Sequence, residues 1–265
     1  MATIDKKGRR KGKIGDTVHK TWMDKDVVQS APGKGNVKQT EETKKAASVF
    51  GKVSSFGNLI RDSFKEIIMG YYDTLMIARL TGQLNTNLRK CYNPEDKTWA
   101  FEEHSLKSLE GFEFNINSPL KRNSSINPTY NLTDNKLSLS FPEINVATDL
   151  IFPKNSSSAE ITVMYKEYNL DRLTYRFHPV QSYSFEVGKL ETTVAAADYT
   201  FEATEGCLCI VSIGIKYHAE YRTSKVLRNN KDLNPAGICC AVFNKGEFIL
   251  TDDEGWSRLY GKIRK

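Results

Sequence analysis

Leu137-Ser138-Leu139-Ser140-Phe141 alternates apolar and polar side chains without a break. Successive residues of a β-strand point to opposite faces, so a period of two marks a strand with one buried side. The same rhythm begins at Gly111, where Phe112, Phe114 and Ile116 alternate with Glu113 and Asn115. It returns at 161–165, 174–178, 183–187, 199–201, 207–217 and 237–243, between loops rich in Asn, Ser, Pro and Asp. Short strands at this spacing predict a C-terminal antiparallel β-sandwich, Ig-like in type, over residues 100–265. A partly open barrel fits the same pattern. No internal repeat of fixed period is visible.

Upstream the period changes. Ala46, Val49, Phe50, Val53, Phe56, Leu59, Ile60, Phe64, Ile67 and Ile68 recur at steps of three and four, as one face of a helix requires. Thr40 can cap that helix, and Glu41 and Glu42 suit the positive end of its dipole. Gly51 and Gly57 each cost about 1 kcal/mol relative to alanine inside a helix, so they mark close packing or a kink. Gly70 breaks the pattern, and Tyr71, Tyr72, Leu75, Met76, Ala78, Leu80, Leu84 and Leu88 predict a second helix ending before Asn93-Pro94. The helical segment is therefore 40–92, a helical hairpin or one long bent helix. Its stripe of Val49, Phe50, Val53, Phe56, Ile60, Phe64 and Ile67 needs a cover, from this chain or another, and is a candidate helical interface.

Residues 1–39 read as a basic arm, a hairpin and a linker. Lys6, Lys7, Arg9, Arg10, Lys11 and Lys13 face a single acid, Asp5, within the first thirteen residues. The whole chain carries a net charge of +6, so the rest of it is nearly neutral. Gly8 and Gly12 interrupt any helix there, which predicts a flexible cationic arm. Residues 14–23 and 26–30 are β-prone runs around Asp24-Lys25 and predict a β-hairpin, and Ala31-Pro32-Gly33-Lys34-Gly35 predicts a linker. Six clustered cations could neutralise phosphates and release their counterions. The same residues also read as a solvated tail that aids solubility, or as an arm that orders on a neighbouring subunit. Aromatic interleaving is missing from the arm itself.

Chemistry-bearing motifs are scarce. Cys207 and Cys209 share one face of a predicted strand, and Cys239-Cys240 form a second cluster, both embedded in apolar runs that suit a core. Their spacing does not suit a zinc knuckle. His19, His104, His178 and His218 lie far apart in the sequence. There is no nucleophile elbow, phosphate-binding loop or dinucleotide fingerprint, and Asp252-Asp253-Glu254 reads as a solvated turn. Asn123-Ser124-Ser125, Asn131-Leu132-Thr133 and Asn155-Ser156-Ser157 match a glycosylation acceptor but read as polar loops. The five cysteines, the lack of a signal segment and the lack of a long apolar run predict a reduced cytoplasmic setting, or a particle assembled there. Hydrophobic residues at 39% and charged residues at 26% exclude wholesale disorder.

Gly12-Lys13-Ile14-Gly15-Asp16-Thr17-Val18, Trp22, Lys25-Asp26-Val27-Val28, Ser30-Ala31-Pro32 and Lys38-Gln39-Thr40 together resemble an uncharacterised Bacteroidota protein family. Its members begin with a glycine- and lysine-rich basic hairpin, a Pro-Lys linker, and a Gln-Thr stretch opening an amphipathic helix, followed by β-structure. The resemblance covers about the first seventy residues. The acidic turn Asp24-Lys25-Asp26 departs from it where Lys-Gly is expected. It implies the architecture and an origin in Bacteroidota or an associated phage, and it carries no catalytic residues.

The expected function is that of a non-enzymatic structural, assembly or interaction protein. Part of an envelope, secretion or phage-related particle is one such role, with a protein partner or a second copy of the chain. Nucleic-acid binding through the arm is the alternative, and a carbohydrate-binding or hydrolytic sandwich using Trp99, Tyr183 and Trp256 is a third reading. No cofactor, metal, small molecule or catalytic residue is implied.

Overall fold

The structure, a computed structural model, describes residues 2–22, 25–31, 40–93, 95–96, 98–176, 181–222, 224–249 and 255–258, with backbone only at 41, 42, 44–46 and 48. The expected linker beyond Ala31, Asp24 of the hairpin turn, His178 and the acidic turn Asp252-Asp253-Glu254 lie outside the described residues. The chain divides into two compact units, Met1–Ala47 and Ser48–Lys265.

The first unit contains β1 (Thr3–Ile4), β2 (Arg10–Ile14), β3 (Thr17–Trp22) and β4 (Lys25–Ser30), an antiparallel meander in chain order. Asp5 makes the first turn. Its carboxylate accepts hydrogen bonds from the backbone N–H groups of Lys7 and Arg9, each at 2.9 Å, and from the Arg9 side chain at 2.9 Å. Gly8 supplies the positive φ of 76° that the turn needs. Residues 2–13 are therefore not the flexible arm expected from their charge. Local turn chemistry converts them into two strands of a sheet that continues through the predicted hairpin.

Three helices follow: α1 (Glu41–Ser63), α2 (Lys65–Ile68) and α3 (Met76–Cys91). Thr40 caps α1 as its position suggests, its Oγ1 accepting from the Thr43 N–H at 3.1 Å. Met69 and Gly70 take consecutive left-handed conformations, φ 51° and 72°, which ends the helical run and makes a helical pair rather than one bent rod. The second helix starts at Met76, later than Tyr71, because Asp73 intervenes. Its carboxylate accepts from the Leu75 N–H at 2.9 Å, the Ile116 N–H at 3.2 Å and Arg79 at 2.5 Å. At Gly57 α1 faces α3, but a Cβ there would sit 3.5 Å from Leu84 Cδ1, an ordinary van der Waals distance, so the packing does not demand a glycine.

The remaining elements are β5 (Tyr92–Asn93), β6 (Thr98–Trp99), α4 (Leu120–Asn123), β7 (Thr129–Thr133), β8 (Lys136–Phe141), β9 (Ile144–Asn145), α5 (Val146–Asp149), β10 (Ser158–Asn169) and β11 (Thr174–Arg176). They continue with β12 (Ser182–Gly188), β13 (Thr193–Val194), β14 (Ala197–Glu202), β15 (Cys207–Tyr221), β16 (Ser224–Leu227), β17 (Ala236–Asn244) and β18 (Trp256–Arg258). Long strands β10 and β15 pair from Ser158↔His218 to Tyr168↔Leu208. The free edge of β10 takes β12 and β11, with β18 beyond β11, and the free edge of β15 takes β17 and β16. Every pairing in this seven-stranded sheet is antiparallel. A separate three-stranded sheet has the order β14-β8-β7.

Both faces of the large sheet are covered, so its central strands read as nearly continuous apolar runs. Met164, Tyr168, Leu208 and Ile210 share one core with Val53, Phe56 and Ile60 of α1, Phe64 at the joint, Ile67 of α2, and Leu80 and Leu84 of α3. Ala159, Ile161, Val163, Tyr165, Val211 and Ile213 share the other with Leu137, Leu139 and Phe141 of β8 and Phe201 of β14. This is a mixed α+β chain, mostly antiparallel, with a helical pair and one large sheet. The run at 112–116 is not a strand. Phe112 and Phe114 are buried beside β17 through the single bridge Glu113↔Gly237, while Ile116 is exposed. Asn131, Leu132 and Thr133 lie in β7 rather than in a polar loop.

Candidate interaction surface

The helical stripe is already occupied. Val49, Val53, Phe56, Ile60, Phe64 and Ile67 are buried in the core of this chain, so they offer no interface to another. Phe50 departs from them and stands 53% exposed. It lies one residue, about 100° of helical rotation, from Val49 and off the line joining Val49, Val53, Phe56 and Ile60.

The N-terminal sheet is different in kind. None of its described side chains from β1 to β4 is buried, and Ile4, Ile14, Trp22 and Val28 are among the exposed large apolar residues of the chain. Its register sorts the side chains onto two faces, since directly paired residues of adjacent strands lie on the same side. Lys13 pairs with Val18, Val18 with Gln29, Lys20 with Val27, and Trp22 with Lys25. Lys13, Lys20, Lys25 and Trp22 therefore share one face, with Val18 and Val27 half-buried beside them on it. Ile14 pairs with Thr17 and His19 with Val28, which places Ile14, His19 and Val28 on the opposite face.

The six predicted cations are divided by this geometry. Lys6 and Lys7 lie in the β1–β2 turn. Arg9 and Lys11 approach Asp5 at 2.9 and 3.6 Å, which ties them to the turn, and Arg10 pairs with Ile4. Hydrogen bonds from Arg9 and Lys7 hold the Asp5 carboxyl down at about 2. Only Lys13 among the six is placed by the β2–β3 register beside the lysines of β3 and β4. Lys20, Trp22 and Lys25 were outside the sequence-derived set, although the 14–30 hairpin register contains the signal that joins them. No ion pair to Lys13, Lys20 or Lys25 occurs among the described residues.

Other concavities in the second unit are built as structure. Trp99 stacks on Phe101 at 5.8 Å and lies beside Tyr92 at 4.8 Å, lining with Lys52, Phe56, Leu88, Leu170 and Leu173 a groove with room for about 10 Å³. That is no more than one water. Tyr183 stacks on Tyr199 at 4.3 Å, and Trp256 meets Phe248 edge-on at 5.0 Å. An open cleft of about 380 Å³ lies among Glu103, Asp134, Asn135, Glu205 and Lys245. Its walls are tied together, with Asn135 donating to Glu205 at 2.9 Å and Asn244 donating to Asn135 at 3.0 Å.

Glu167, 1% exposed, accepts from Arg176 at 3.1 Å and from the Thr204 N–H, which neutralises a buried charge beneath the large sheet. Cys209 lies 3.1 Å from the Tyr165 hydroxyl in the core, and burial pushes the thiols of Cys207, Cys209, Cys239 and Cys240 up, Cys239 to about 12. Burial of Cys207, Cys209 and Cys240 favours protonated, shielded thiols, while Cys239 is partly buried at the edge of the same core. Compared with protein-family models, with curated proteins and with solved structures, the chain matches none.

Proposed function

We propose that this chain is a non-enzymatic binding or assembly protein whose N-terminal sheet is its docking module. One observation carries the reading: the second unit contains two complete cores, whereas the N-terminal meander buries none of its described side chains. Sheets of a few strands are stable when a hydrophobic face is covered. A four-stranded sheet with large apolar residues on show is thus built to be covered by a partner, whether another macromolecule or a second copy. The three-stranded sheet sharing a core with the large sheet supports a two-layer, sandwich-like β-body as the rigid support for that module. A cytoplasmic particle or its precursor is a setting that fits these parts.

Light scattering on the nuclease-treated full chain tests the reading. The expected result is a defined species heavier than the 30.0 kDa monomer, or a monomer that acquires mass with an added partner through residues 1–31. A bare monomer that self-associates at no concentration and retains no macromolecule overturns it.

A further inference from the structure

We infer that the face carrying Lys13, Lys20, Lys25 and Trp22 binds single-stranded nucleic acid. The inference rests on the reading of the N-terminal sheet as a docking module and names what docks there. The register sets Lys13, Lys20 and Lys25 on a diagonal across β2, β3 and β4. Each step advances one strand and two residues, so neighbouring Cα positions lie roughly 7–8 Å apart. Trp22 lies two residues beyond Lys20 on the same strand and directly opposite Lys25, and it is 60% exposed. Three ammonium groups in a row beside an exposed indole supply both halves of single-strand recognition. The cations track the phosphates, and the ring offers a surface on which any base can stack.

The geometry favours this occupant over others. Four strands span about 14 Å between the outer backbones, too broad to enter a duplex major groove of about 12 Å. A membrane surface would take up an apolar face. Here Ile14 and Val28 point to the opposite side, leaving Trp22 as the exposed large apolar group among the lysines. An acidic protein would use the lysines and leave the indole without a role. Sequence alone places Lys13 in the six-cation cluster and leaves Lys20, Trp22 and Lys25 outside it, and only strand pairing brings the four together.

Fluorescence anisotropy of a labelled oligo-dT of about 16 nucleotides, titrated with the full chain over a range of salt, tests the inference. Three neutralised phosphates predict a slope of log K against log salt near −2. The variant Lys13→Ala/Lys20→Ala/Lys25→Ala is expected to remove most of that slope. Trp22→Ala should weaken binding about 5- to 150-fold with the slope retained, and Trp22→Phe should restore most of it. Lys6→Ala/Lys7→Ala, in the turn, should change affinity far less than the triple variant. Circular dichroism of each variant checks that the fold is kept, and Lys20→Glu provides a single, less disruptive probe of the same face. No binding of oligo-dT at low salt, binding unaltered in the triple variant and Lys20→Glu, or equal binding to Trp22→Ala overturns the inference, as does preferential capture by anionic vesicles. If the nuclease-treated chain is a defined multimer while oligo-dT fails to bind, this inference falls and the docking-module reading stands; a bare monomer with no oligo-dT binding removes both.

Discussion

Replacing Asn234 with alanine should be among the costliest single changes in the protein. Asn234 is 1% exposed, in the loop before β17, and its side chain donates to the carbonyls of Ile67 at 3.1 Å and Ile68 at 3.0 Å. Those are helix-end carbonyls without a donor inside α2, and the Ile68 carbonyl also accepts from the Tyr71 N–H at 2.9 Å. Its Oδ1 accepts from Asn229 at 2.8 Å, and Asn229 in turn bonds the Ile215 carbonyl at 2.8 Å and the Tyr217 N–H at 2.7 Å. Alanine deletes three hydrogen bonds, each worth about 1 kcal/mol net, and leaves buried groups without partners. The expected loss is about 3 kcal/mol. With a urea dependence near 3 kcal/mol per molar, the unfolding midpoint should fall by about 1 M. Asn234→Asp keeps an acceptor but removes both donors and should cost at least as much. Asn230→Ala, at an exposed turn where the side chain bonds the Arg228 carbonyl and the Asp232 N–H, should cost no more than about 1 kcal/mol. The measurement is equilibrium unfolding followed by circular dichroism. A shift below about 0.3 M for Asn234→Ala would show that the asparagine pair is not what holds α2 on the sheet.

Two glycines should respond in opposite senses. A Cβ at Gly214 would lie 2.7 Å from Ile67 Cβ, so Gly214→Ala should destabilise by roughly 1–3 kcal/mol, whereas Gly51→Ala, in open space within α1, should stabilise by up to about 1 kcal/mol; thermal melts of the pair settle the signs. The Asp5 turn should depend on pH. Because its folded pKa is depressed, its contribution is complete above the ordinary carboxylate value of 3.8 and fades as pH falls through about 2, which the Lys7 and Arg9 amide shifts should follow. A midpoint at the ordinary value would remove that role. Thiol labelling gives the last test: at pH 8 iodoacetamide should leave the buried Cys207, Cys209 and Cys240 unmodified in the native protein and label all five cysteines in urea. Native labelling of any of the three would place it outside the core.

Legibility in the sequence followed the physics of each element. The helix period located α1 and most of its buried face, because one stripe of large side chains meets one core; Phe50 matched in type while its angular position put it outside. Alternation located β8, where polar Ser138 and Ser140 are exposed, and it also found β10, β12, β14, β15 and β17. It missed β7 and β16, whose short polar runs resemble loops. It was misled at Ile116, where alternating residues follow the edge of β17 without forming a strand. The apparent arm was misjudged because charge density says nothing about turn closure, and Asp5 and Gly8 decide that locally. The basic face was hidden for a further reason. Lys13, Lys20, Trp22 and Lys25 become neighbours only through pairing across three strands, and composition cannot express a register.

Strands β10 and β15 have a consequence for folding. Each lends alternate residues to two cores on opposite sides of the sheet, so neither the helical layer nor the small sheet can lose its floor while the other keeps it. Their pairing closes a loop between Asn169 and Cys207 at its tightest end and reaches Ser158↔His218 at its widest. Contacts that distant in sequence must form before either layer gains its core, and such topologies fold slowly. The second unit should therefore cross one late barrier as a whole, and the amides at the centre of β10 and β15 should exchange with solvent only when everything around them has opened.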